Sequence, residues 1–270
     1  MLKKNIAKIY KIYWNKGGII LNQEPILIQT AMEVECQEIL KKLKDLKEKE
    51  IQGYQFYEGK MNNYPIVVSL SKVGLIHASS SLTLAIQMYK PIVIINIGIA
   101  GATSKEIHTK DIVIGKSCIN INSYKTEALN EGEGSSPKNW ELLTFLSGEK
   151  DRLIEQSASP KLIELTKEIN SQEFGKVYYG KIGSGDVWNQ EFDRILFLNQ
   201  KYQILCEDME SIATYTLANQ WKIPVISLKM ISDNALIKET YNREVGIYIQ
   251  IYALNYLVKL IDNIKDLNKI

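Results

Sequence analysis

The chain has 270 residues, long enough for one large α/β domain with a sizeable buried core. Lys+Arg number 33 against 31 Asp+Glu, so there is no basic field to recruit nucleic acid or an anionic membrane, and the expected partner is a small molecule. The three cysteines lie far apart without a CxxC pair, and His77 and His108 are the only histidines. This argues against a metal site and suits a reducing, cytoplasmic setting.

In chain order, Lys3, Lys4, Lys8, Lys11 and Lys16 alternate with Ile6, Ile9, Tyr10, Tyr13 and Trp14. That pattern predicts a basic amphipathic surface helix, residues 1–24, appended to a domain at 25–270. It lacks the apolar core and cleavage site of a signal peptide, and no apolar run in the chain reaches the roughly 20 residues of a membrane span.

Residues 26–28 read as a strand, followed by Ala31-Met32-Glu33-Val34-Glu35 and a charged helical stretch to about Lys49. A hairpin is expected from 54–59 and 66–70 around Asn62-Asn63, then a turn at Lys72-Val73-Gly74 and a helix to Met88. Residues 92–97, β-branched nearly throughout and closed by Gly98-Ile99-Ala100-Gly101-Ala102, have the character of a central parallel strand with a ligand loop at its end. The turn-rich residues 130–137 predict a long loop. Helices at 208–220 and 242–264 flank a second central strand at 225–230, which ends in Ile231-Ser232-Asp233. The alternation predicts a three-layer α/β/α fold around a mixed, mostly parallel sheet.

Four acidic segments follow predicted strands: 31–35, Gly183-Ser184-Gly185-Asp186, Cys206-Glu207-Asp208-Met209-Glu210 and 231–233. In an α/β sheet such ends border the ligand crevice. Singly, each carboxylate is explained as well by helix capping.

Taken in order, these segments, with Ile95-Asn96-Ile97-Gly98-Ile99-Ala100-Gly101 and Lys110-Asp111-Ile112-Val113, resemble the methylthioadenosine/S-adenosylhomocysteine nucleosidases of the purine nucleoside phosphorylase superfamily. The resemblance implies hydrolysis of an adenine nucleoside, with water as co-substrate, no cofactor, and a homodimer. By family position Asp233 protonates purine N7 with Ser232 orienting it, and Glu35, rather than Glu33, activates water. Glu210 grips the ribose hydroxyls, Met209 lies against the sugar, Trp188 stacks on adenine, and the Asn189 backbone reads its edge. Asp186, Ala100, Gly101 and Lys229 are further site positions, and Tyr241 is expected to close the 5′ side.

Two positions depart from the family pattern. Ile99 replaces a small hydroxyl residue that helps hold the water, and Lys229 stands where bacterial members often carry Arg. The segment 118–123 also lacks a His-Asp pair common there. A phosphorylase would need converging arginines early in the chain, and the first arginine is Arg152. Ile99 also leaves room for a non-catalytic nucleoside-binding relative.

Overall fold

A computed structural model describes residues 23–143 and 155–267. The basic amphipathic stretch expected near the start lies outside the described residues, apart from its last two positions.

Strand β1 (Ile26–Thr30) leads through a single 3-10 turn (Glu33–Glu35) into a short helix α1 (Gln37–Lys42). Strands β2 (Lys44–Ile51), β3 (Tyr54–Met61) and β4 (Tyr64–Leu70) then form a meander. Asn62 and Asn63 take positive φ, the left-handed geometry a tight hairpin requires. The helical expectation for 44–49 fails here. Those residues pair antiparallel with β3 as the outer strand, and the Lys/Glu-rich sequence that favours a helix serves instead to keep an exposed edge soluble.

Helix α2 (Leu75–Tyr89) precedes the long strand β5 (Val93–Ala102), and β6 (Ile112–Asn120) follows. A small two-stranded unit, β7 (Tyr124–Lys125) with β8 (Glu141–Leu142), encloses the turn-rich loop, and β9 (Glu155–Ser157) pairs with β6. The remaining elements are α3 (Pro160–Thr166), β10 (Val177–Ser184), α4 (Phe192–Tyr202), β11 (Ile204–Asp208), α5 (Ser211–Gln220), β12 (Val225–Asp233) and α6 (Val245–Leu267).

Strands β4, β1, β5 and β12 run parallel side by side. Alternate residues divide between two cores: Ile26, Ile28, Ile95, Ile97, Leu228 and Met230 face α6, whereas Leu27, Ile94 and Ile231 face α2 and α5. Helices thus cover both faces, giving the three layers expected. Each fully buried Ile or Leu contributes about 1.5–3 kcal/mol, so this two-sided burial is what holds the central strands.

Beyond β12 the sheet reverses. β6 pairs antiparallel with β12, β10 and β11 follow β6 in parallel, and β11 returns to pair antiparallel with the end of β5, Cys206 opposite Ala102 and Glu207 opposite Gly101. Strands β5, β12, β6, β10 and β11 therefore close into a ring. This closure brings the acidic segment after β11 to the same edge as the ends of β1, β5 and β12.

Candidate active site

A cavity of about 840 Å³, its open mouth included, lies at that edge. Glu35, Ile99, Ala100, Gly101, Met209, Glu210, Trp188, Asn189, Ser232, Asp233 and Tyr241 all line it. Asp186 and Lys229 do not, and their positions give them other work.

Glu35 is held from three sides. Its Oε2 accepts hydrogen bonds from the Ala31 and Met32 backbone N–H groups at 3.0 and 2.9 Å, and its Oε1 accepts from Ile99 N at 3.1 Å. The turn carrying it is pinned from α6, where Gln250 donates to Val34 O at 2.6 Å and accepts from Glu38 N at 2.6 Å. Burial pushes the Glu35 carboxyl above its ordinary value, against the opposing pull of Lys229 and the three N–H donors. The Ile99 side chain offers no hydroxyl, but its backbone reaches the carboxylate directly.

Lys229 lies behind the cavity wall. It stands between Leu228 and Met230 in a buried strand, and a buried ammonium requires a partner; Asp208 Oδ2 is 2.8 Å away. Burial opposes the Lys229 charge, yet Asp208, Glu210 and Glu35 together hold its pKa above the usual lysine range. Asp208 is likewise held below the usual carboxylate range despite its burial, by Lys229 and by hydrogen bonds that include Ser211 Oγ. The expected contact of Lys229 with a substrate is therefore corrected: its ammonium is committed to this ion pair. Between it and Glu35 sits Gly98, where an added Cβ would stand 2.9 Å from Glu35 Oε1 and 3.1 Å from Lys229 Nζ.

Glu210 accepts from Gly74 N at 2.9 Å, at the turn entering α2. Burial, with Asp208 nearby, pushes its carboxyl up to about 8. Asp186 is exposed and accepts from Leu75 N at 2.7 Å, so it caps the first turn of α2 rather than facing a ligand.

Asp233 closes the opposite wall. Ser232 Oγ lies 2.6 Å from Asp233 Oδ1 and 3.2 Å from Ala100 O. Burial raises the Asp233 carboxyl, and the Ser232 bond only partly opposes this. The following residue, Asn234, is fully buried and donates to Ser104 O and Ile107 O at 2.8 and 2.7 Å, which fixes the strand end. At the mouth, Trp188 and Tyr241 meet edge-on with ring centroids 4.9 Å apart, each substantially exposed. The two aromatics expected at opposite ends of a nucleoside thus touch within one chain.

Sequence reasoning missed Asp208, Gly98 and the amide of Gly74. The signal for Asp208 is in the sequence: a lysine between Leu228 and Met230 in a strand read as central demands an anion, and the acidic run 207–210 is the obvious supplier. It also passed over Glu207, which lines the cavity beside Asn189.

Among the described residues no group of His, Cys, Asp and Glu could hold a metal, and no helix is long and apolar enough to cross a membrane.

The family model of the phosphorylase superfamily matches residues 25–250. A curated relative from Staphylococcus epidermidis, named 5′-methylthioadenosine/S-adenosylhomocysteine nucleosidase, is 28% identical over 206 residues, covering 76% of this chain and 84% of that protein. Among solved structures, the S. pneumoniae 5′-methylthioadenosine/S-adenosylhomocysteine nucleosidase with a transition-state inhibitor superposes with a TM-score of 0.72 at 20% identity, covering 87% of this chain and 99% of that one. A Helicobacter pylori futalosine hydrolase mutant gives 0.72 at 22% identity, covering 88% and 100%.

Proposed function

Because this chain belongs to the phosphorylase superfamily, we propose that it hydrolyses the N-glycosidic bond of 5′-methylthioadenosine, S-adenosylhomocysteine or a related adenine nucleoside, releasing adenine. The observation that carries this reading is three carboxyl groups lining one cavity, each in a different setting: Glu35 gripped by N–H donors beside Lys229, Glu210 anchored on Gly74 N, and Asp233 bonded by Ser232.

Departure of adenine leaves an oxocarbenium-like ribose and requires a proton on the base. Asp233, raised by burial, is the acid for N7, and Ser232 keeps its carboxyl turned toward the cavity. Glu35 takes a proton from the attacking water on the opposite face of the sugar. Glu210 bonds the ribose hydroxyls; with its carboxyl raised to about 8, the ionised form, whose negative charge favours the cationic transition state more than the ground state, gains weight as pH rises. Trp188 supplies a flat surface for the purine, and Met209 and Tyr241 bound the sugar and its 5′ substituent. Residues 25–270 form the catalytic unit in this reading, and residues 1–24 are an appended segment.

Hydrolysis is favoured over phosphorolysis because the described residues lining the cavity include neither Lys nor Arg to bind a phosphate, and Lys229 behind it is already paired. A homodimer is supported by exposed Ile247, Tyr248 and Ile251 on the outer face of α6, together with Trp188 and Tyr241. The three cysteines are free and buried, which accords with a cytoplasmic setting.

The test is adenine release from methylthioadenosine, S-adenosylhomocysteine and adenosine in phosphate-free buffer. Free ribose products are expected, and Asp233→Asn should lower the rate by about 10²–10⁴-fold while substrate still binds. Ribose 1-phosphate formed only with phosphate present, or an unchanged rate in Asp233→Asn, would overturn the assignment.

A further inference from the structure

Helix α4 carries part of the cavity wall yet stands apart from both main cores. Ile195 from its first turn lines the cavity, and Asn189, just before the helix, is tied to that turn because its Oδ1 accepts from Glu191 N at 3.1 Å. A helix of 11 residues is marginal by itself in water. Its apolar support is a separate small core of Ile119, Ile121, Leu142, Leu198 and Ile204.

Arg194 adds a polar anchor to that support. Its side chain is 6% exposed, and a buried guanidinium requires acceptors. Nη1 donates to Trp140 O at 2.6 Å and to Pro137 O at 3.3 Å, and Nη2 reaches Ile121 O at 3.5 Å. Cζ lies 5.4, 5.8 and 5.4 Å from the ring centroids of Tyr124, Trp140 and Phe197, and the first two of these rings stack nearly parallel at 4.9 Å. One side chain thus joins α4 to both stalks of the loop at 121–142. The other charged ties between them, Lys138 to Asp193 and Lys201 to Glu141, are exposed pairs and contribute little.

The base of the same loop abuts the far end of the wall. A Cβ on Gly185 would stand 2.6 Å from Asn122 Oδ1 and 3.0 Å from Ile121 Cγ1. Residues 185–195, which bring Val187, Trp188, Asn189 and Ile195 to the cavity, are therefore held at one end against Ile121 and Asn122 and at the other by Arg194.

We propose that Arg194 is a positioning residue for this wall: by clamping the 121–142 loop to α4 it fixes residues 185–195 before a ligand arrives, and thereby raises affinity for the bound base. Order imposed in the free protein need not be imposed on binding. Glu35, Glu210 and Asp233 stand on other elements, so loosening the clamp weakens binding and leaves the chemical step nearly unchanged.

The affinity effect rests on the reading of this cavity as a purine site, so one arm of the test needs no ligand. Hydrogen exchange of the full chain is followed by mass spectrometry in wild type, Arg194→Leu, Arg194→Lys and Trp140→Leu. The amides of Val187 and Ile195, bonded to Gly185 O and Glu191 O, report the wall, and β12 reports the rest of the sheet. Exchange across 185–195 is expected to accelerate about tenfold in Arg194→Leu and about threefold in Trp140→Leu, which loses one ring but keeps its carbonyl, with β12 unchanged. Arg194→Lys, a point charge without the guanidinium fork, recovers part of the protection. In the second arm, the Kd of adenine by calorimetry and the KM of methylthioadenosine rise in the same order, by about tenfold in Arg194→Leu, at nearly constant kcat. Should Arg194→Leu fail to fold, Arg194→Lys and Trp140→Leu decide the matter by the same readouts. Unchanged exchange at 185–195, acceleration shared equally by β12, or a fall in kcat at constant KM overturns the proposal. Local exchange as described in a chain that binds no adenine upholds the clamp and counts against the nucleosidase reading alone.

Discussion

Lys229 Nζ sits 2.8 Å from Asp208 Oδ2, with both side chains almost completely withdrawn from solvent. Removing one member of such a pair strands the other charge. Lys229→Met is expected to destabilise the protein by about 3–5 kcal/mol, read from the chemical-denaturation midpoint, whereas Lys229→Arg, which keeps the charge, should cost less. A loss below about 1 kcal/mol in Lys229→Met would mean that the pair is worth no more than an exposed one.

Gly98 separates the same lysine from Glu35. Gly98→Ala would place a methyl group inside normal contact of both side-chain ends, which are too constrained to swing away. The expected result is a fall in kcat of about 10²-fold from misplacement of Glu35, with KM changed little and the thermal midpoint lowered by an overpacking cost of about 1–3 kcal/mol. A variant with wild-type kcat would show that Glu35 needs no such exact placement.

Ile99 bonds Glu35 through its backbone, so its side chain can be changed without releasing the carboxylate. Ile99→Ser adds a hydroxyl at the position where the attacking water would be held, and one further hydrogen bond is worth about 1 kcal/mol. Adenine release is expected to rise several-fold in kcat at constant KM. No gain would indicate that the backbone geometry already holds the water.

Four carboxyls raised by burial, Glu35, Glu207, Glu210 and Asp233, make stability fall with pH. Glu207 at about 7 and Glu210 at about 8, with Glu35 and Asp233 also raised, bind protons in the folded chain that the unfolded chain, titrating near 4.5 for Glu and 3.8 for Asp, has already released. The folded state therefore holds more protons across this window, and the free energy of unfolding decreases as pH rises from about 5 to 8, then levels off. Asp208, held below its ordinary value, acts in the opposite sense and loses its contribution only under acid conditions below that window. The expected decline is on the order of a few kcal/mol by urea denaturation, and Glu210→Gln should reduce it. A stability that rises through this window would contradict the assigned protonation.

Much of this arrangement was readable from residue order. The continuous β-branched run before Gly98 and the apolar strand ending at Ser232-Asp233 announce central strands, and both carry cavity residues. The turn at Asn62-Asn63 was equally plain. Residues 44–49 misled because Lys and Glu favour helices locally, while pairing with β3 decides the outcome. The roles of Lys229 and Asp186 depended on distances across the fold: one required Asp208 and the other the first turn of α2, separated by 21 and 111 positions in the chain. Ring closure by β11 had no local signature, since antiparallel return of two residues onto β5 leaves no pattern in either segment.

That ring also sets when the pocket can exist during synthesis. Its members run from Val93 to Asp233, and the pairing of β12 with β5 joins segments more than a hundred residues apart. On a translating ribosome, β1 to β5 can assemble early, but the wall bearing Asp233 cannot be added until β12 has left the exit tunnel. Until then the glycine-lined end of β5 and the hydrophobic flanks of β12's future seat remain open to other chains. The slow, non-local step in folding is therefore also the step that creates the binding site, and loss of β12 would leave a nascent chain with a partly built sheet and no cavity.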